Sequence, residues 1–246
     1  MVARASSLLR GLGPERAAAL AALTLALAVY TAAAGRLWDA GLELDVAFLA
    51  LVLVPAFFLV PWLLLPLAGA RGLLPVGLAL VVLALLLRAA ELDVLFNFAK
   101  LLALVVLGFW FLTYFEAVSW TVLIALVIPF VDAVSVWRGP TDYIVSEQPH
   151  VFDDVSVAFR IPGEDSSANI GPPDILFFSL FLAATVRFGL RTAWTWLAMV
   201  ALLGLTLVIT ATTDVAGLPA LPAICIGFLL ANLDLLWRDL RPQRAT

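Results

Sequence analysis

The chain has 246 residues, 64% of them hydrophobic and only 13% charged, with a mean hydropathy of +1.09 and a formal net charge of −4. A soluble domain of this composition would have too little polar surface to cover itself, so the chain reads as a polytopic membrane protein. Cys225 is the only cysteine, which excludes an internal disulfide, and the small net charge selects no partner. No nucleic-acid partner or cofactor is expected.

A membrane-spanning helix needs roughly 20 apolar residues, and eight stretches qualify: 17–34, 46–69, 72–88, 94–115, 117–137, 171–190, 192–213 and 218–238. They predict an all-α transmembrane bundle. The first follows Arg4, Arg10 and Arg16 and ends in Thr31-Ala32-Ala33-Ala34-Gly35. A cleavable signal peptide is one reading of it, but the apolar run exceeds a signal core, and a retained helix is expected. The second and third are separated only by a short turn around Gly69, Arg71 and Gly72, and Pro55, Pro61, Pro66 and Pro75 are placed to bend both. In the fourth, Asn97 and Lys100 are polar; Lys100 is expected to snorkel or to pair locally with Glu91 or Asp93. Trp110, Trp120, Trp137, Trp194 and Trp196 fit interfacial or lipid-facing positions.

One polar stretch, 138–169, divides the chain into a five-span part (1–137) and a three-span part (170–246). It carries Asp142, Glu147, Asp153, Asp154, Glu164 and Asp165. Within it, Val155-Ser156-Val157-Ala158-Phe159 alternates partly as a strand does. An extended substrate segment could pair there by strand addition; a plain connector is the alternative. Later in the chain, Asp214 reads as a helix-end residue, and Asp234 as a local partner of Arg238 one turn on. Basic residues concentrate at the ends that share a side with the N-terminus, which places both termini in the cytoplasm of a plasma-membrane protein and the 138–169 loop outside.

Two acids break the apolar pattern where structure alone gives little reason for them. Asp132 lies near the end of the fifth span and Asp174 near the start of the sixth, so both fall on one side of the bilayer whichever way the chain is oriented. Pro219-Ala220-Leu221-Pro222 opens the eighth span on that same side. Acids at membrane depth are costly and mark function. Two carboxylates held together can share a proton, one activating water and the other polarising a carbonyl. Other hydrolytic devices are wanting: His150 is the sole histidine, which excludes a His-Glu-x-x-His zinc site and leaves no base beside a serine.

Val131-Asp132-Ala133-Val134-Ser135-Val136 resembles the Tyr-Asp helix of the presenilin and signal peptide peptidase family. Gly171-Pro172-Pro173-Asp174 stands where that family has Gly-x-Gly-Asp, and Pro219-Ala220-Leu221 matches its Pro-Ala-Leu motif. Order and spacing agree over roughly 117–240. The resemblance implies an intramembrane aspartyl protease that cleaves transmembrane-helix substrates. Asp132 and Asp174 would be catalytic, and Gly171, Pro219, Ala220 and Leu221 would engage substrate. Val131 replaces the family's tyrosine and Pro173 its second glycine, which keeps an inactive homologue open. The family has nine spans against eight here, so a ninth is missing or merged. Outside this family, a prepilin-peptidase type of aspartyl enzyme and a proton- or cation-binding transporter or scaffold are the alternatives.

Overall fold

A computed structural model of the chain describes residues 11–38, 41–138, 152, 154–164, 166–213 and 218–240. Asp142, Glu147, His150, Asp153, Asp165 and Asp214 lie outside the described residues, as do the side chains of Trp137 and Arg138. Among the described residues helix dominates, in eight rods that follow the apolar stretches to within about four residues at each end. They are α1 (Pro14–Ala33), α2 (Leu42–Leu67), α3 (Leu73–Ala89), α4 (Asp93–Phe111), α5 (Val118–Arg138), α6 (Pro172–Arg187), α7 (Thr192–Thr212) and α8 (Leu221–Leu240). Among the described residues, six of the rods are long and apolar enough to cross a membrane. The others, α3 with 17 residues and α6 with 16, are shorter.

Local chemistry explains the irregular rod. Pro55 has no N–H, so the helical ladder cannot run through it unchanged. The chain answers with a π turn over Leu49–Leu53, in which the Val54 N–H reaches back to the Leu49 carbonyl. Pro61 follows inside the next helical stretch and Pro66 falls in a closing 3-10 turn, so α2 is one rod of several segments.

The centre of the bundle is α6. Ile175, Phe178, Leu180, Phe181, Leu182, Ala183 and Ala184 are all almost wholly buried, as expected of a helix apolar on every side. It packs chiefly on α4, while α3 pairs with α4, α7 with α8, and α8 with α5. Small residues set the closest approaches, as is usual between membrane helices. A Cβ on Gly108 of α4 would fall 2.5 Å from the Leu176 carbonyl oxygen, and one on Gly227 of α8 would fall 2.7 Å from the Met199 Cα. The rim is less covered: α5 exposes Leu126, Phe130, Val131 and Val134.

Two tryptophans meet expectation, with Trp120 and Trp194 exposed. Trp196 is partly buried: its Nε1 donates to the Phe58 carbonyl at 2.8 Å and its ring stands edge-on to Trp62, which joins α7 to α2. Asp234 departs from the local pairing expected with Arg238: both of its oxygens accept from Arg191, at 2.6 Å, joining α8 to the start of α7. Close by, the buried Asn232 donates to Thr195 Oγ1 (2.7 Å) and accepts from the Arg191 N–H (2.9 Å).

The polar stretch forms a hairpin against the bundle. After a helical turn closed by the Ser156 N–H on the Phe152 carbonyl (2.8 Å) come β1 (Val157–Arg160) and β2 (Ser167–Ile170). The strands are antiparallel, with Val157 opposite Ile170 and Arg160 opposite Ser167. Strand periodicity sends Val157 and Phe159 inward, and the Phe159 ring lies 4.2 Å from that of Phe57 on α2. The strand expected around 155–159 therefore exists, starting two residues later, and its partner is the chain's own β2. Lys100 does not pair along its own helix: its ammonium donates to the Asp154 carbonyl at 3.1 Å and to the Ser156 carbonyl. Asp93 and Asp154 instead share Arg88, at 3.5 and 2.7 Å.

Candidate active site

β2 runs directly into Gly171, where α6 begins. Pro172 and Pro173 occupy the first turn of that helix, where a missing N–H costs nothing because no carbonyl there awaits it. The pair also forces the preceding backbone to be extended, and Gly171 has φ −65° and ψ 151°. Asp174 then sits at the third helical position, and its Oδ2 accepts the Gly171 N–H at 3.2 Å. A Cβ on Gly171 would come to 3.1 Å from that same oxygen, so the absence of a side chain leaves room for the carboxylate.

Asp132 projects from α5, one and a half turns before that helix ends. Its Oδ2 accepts the N–H of Leu221 at 3.2 Å. The first N–H groups of any helix have no partner within it, and Leu221 is the first residue of α8. Asp132 thus caps α8 from another helix. The Pro-Ala-Leu segment meets the aspartate through a backbone donor, and Ala220 ahead of it accepts from the N–H groups of Ala223 and Ile224 at 3.1 and 3.3 Å.

Asp174 lies within electrostatic range of Asp132, and the buried thiol of Cys225, one turn into α8, lies within range of both. The N-termini of α6 and α8 point their partial positive charge at the pair, which favours the retention of negative charge there. Both acids are only partly buried, at the margin of the packed core formed by the next residues of α6.

All six residues singled out in the sequence therefore lie on the segments around the two acids. Asp132, Asp174, Gly171 and Leu221 take part through hydrogen bonds. Pro219 and Ala220 form the partly buried approach to α8. Sequence reasoning did not find Cys225 as a neighbour of the acids, nor the polar residues of α4 and α1 that hold the hairpin. An asparagine and a lysine within one turn of an otherwise apolar helix were the available signal. No protein-family model, curated protein or solved structure matches the chain.

Proposed function

We propose that the protein is an intramembrane aspartyl protease, resembling presenilin and signal peptide peptidase, that hydrolyses peptide bonds in transmembrane helices. The observation that carries this reading is the nearness of Asp132 to Asp174, each held by a backbone N–H at the start of a helix, α8 and α6 respectively. In the reaction one carboxylate is ionised and takes a proton from water, and the other is protonated and donates to the scissile carbonyl. The water oxygen bonds to the carbonyl carbon, giving a tetrahedral diol. Its collapse breaks the C–N bond as the nitrogen takes up a proton. The pair carries about one negative charge throughout, a load suited to two helix N-termini.

A helical substrate must first unwind, because its own hydrogen bonds shield the bond to be cut. An extended segment can then be held by strand addition. Such a segment would be laid beside β2, the strand of the hairpin that leads into Gly171 and Asp174. The full topology in this reading has eight spans, with both termini cytoplasmic and the hairpin outside, in the plasma membrane.

The test is cleavage of a synthetic transmembrane peptide by the purified protein, with and without an aspartyl-protease transition-state analogue. Inhibitable hydrolysis that disappears in both Asp132→Asn and Asp174→Asn supports the reading. Asparagine keeps an acceptor oxygen for Leu221 or Gly171 but cannot share a proton. A purely architectural pair of helix caps would leave cleavage in these variants untouched, or would show none in the wild type.

A further inference from the structure

Asn97 and Lys100 lie four and seven residues beyond the first residue of α4, about 6 and 10 Å along the helix. An ammonium and an amide at such depth need partners, and both find them in the backbone of the hairpin. Lys100 donates to the carbonyls of Asp154 and Ser156, the acceptors left over where the Phe152 turn ends, and its charge lies 4.3 Å from the centre of the Phe96 ring. Asn97 donates through Nδ2 to the Ala158 carbonyl and accepts the Ala158 N–H on Oδ1, both at 2.9 Å. That reciprocal pair is what a neighbouring strand would supply. Two residues on, where the backbone again faces the same way, the Tyr30 hydroxyl donates to the Arg160 carbonyl at 2.7 Å. Side chains of α4 and α1 thus take the place of a third strand along β1, and the Gly163 N–H adds a 2.9 Å bond to the Ala34 carbonyl.

We propose that Asn97 and Lys100 are positioning residues that hold the hairpin at one height on α4 and so select the peptide bond that is cut. The chain of placement is short: Ala158 is fixed by Asn97, Asn169 of β2 lies opposite Ala158, and Asp174 follows Asn169 by five residues. A substrate segment laid beside β2 meets the aspartates at a register set by that height. The inference rests on the proteolytic reading above.

The experiment uses the full chain in detergent micelles and four variants: Asn97→Ala, Asn97→Asp, Lys100→Met and Lys100→Arg. Hydrogen–deuterium exchange follows the hairpin amides, and mass spectrometry locates the cut in a synthetic transmembrane peptide. Exchange over 157–160 is expected to rise about tenfold in Asn97→Ala, which removes hydrogen bonds from the strand, and in Lys100→Met, which removes those that hold the turn leading into it. In both, the cut is expected to spread over neighbouring bonds, with kcat falling more than KM rises. Lys100→Arg restores a single cut, and Asn97→Asp, which loses only the donated bond, falls between. Unchanged exchange, or loosened exchange with the same single cut, overturns the proposal. A wild-type protein that cuts nothing overturns the hydrolase reading and the selection of the bond with it, while exchange still decides whether the two side chains hold the hairpin. Should Asn97→Ala fail to fold, Asn97→Asp and the pair Lys100→Met and Lys100→Arg carry the same comparison.

Discussion

Gly108→Ala places one methyl group where α4 and α6 touch. The new Cβ would lie 2.5 Å from the Leu176 oxygen and 3.0 Å from the Ser179 Cβ, whereas ordinary van der Waals contact begins at 3.4 Å. The shortfall of about 0.9 Å falls on backbone, which cannot rotate aside, so α6 must shift as a unit; overpacking of this kind costs about 1–3 kcal/mol. Leu176 is two residues from Asp174, and a misplacement of about 1 Å at a reacting group can lower turnover on the order of a hundredfold. The assay pairs thermal unfolding in micelles with the rate of cleavage of the synthetic peptide. Gly69→Ala is the control, because a Cβ there meets nothing within 4 Å. A Gly108→Ala protein with the melting temperature and turnover of the wild type would refute the argument. A lowered melting temperature without loss of turnover would keep the packing claim and remove the link to Asp174.

Other outcomes follow from particular contacts. Phe159→Ala empties the space between the hairpin and Phe57 and should cost about 3 kcal/mol or more in denaturant unfolding, with faster amide exchange in β1 and β2. Asn232→Ala leaves the Arg191 N–H and the buried Thr195 hydroxyl short of a partner, a loss of about 1–3 kcal/mol measurable in the same way. Asp234→Ala, two residues away, breaks an exposed ion pair and should leave the melting temperature nearly unchanged, the more so at high salt. Gly171→Ala crowds the Asp174 carboxylate and should reduce cleavage while leaving the melting temperature close to that of the wild type.

The rods were legible because a run of about 20 apolar residues has few other uses, and their ends were misjudged by no more than a turn. The nearness of Asp132 and Asp174 was legible for a topological reason: the end of one helix and the start of the next are joined by a single loop, which brings the two acids to the same side without any knowledge of packing. What remained hidden were contacts to backbone. Asn97 reaches Ala158 across 61 residues and Lys100 reaches Asp154 across 54, and a carbonyl or N–H leaves no mark in the sequence. The same holds for Leu221, which the resemblance casts as a substrate contact and whose amide bonds Asp132 across 89 residues. Local rules misled where a distant partner was better aligned. Arg238 stands one turn from Asp234, yet Arg191, 43 residues away, offers both of its guanidinium nitrogens to the carboxylate. The π turn of α2 could have been anticipated at Pro55, but proline alone does not tell a bulge from a kink.

The bond between Asp132 and the Leu221 amide spans 89 residues, which has a meaning in time as well as in space. At a synthesis rate of about 5–20 residues per second, the ribosome needs roughly 4 to 18 s to deliver the amide after the carboxylate has been made. Through that interval the fifth helix is already being handed to the lipid with its acid uncapped and its outer flank bare. The helix against which it finally rests has yet to emerge. A chain whose translation is halted before the eighth helix should therefore be a preferred client of the quality-control proteases of its membrane.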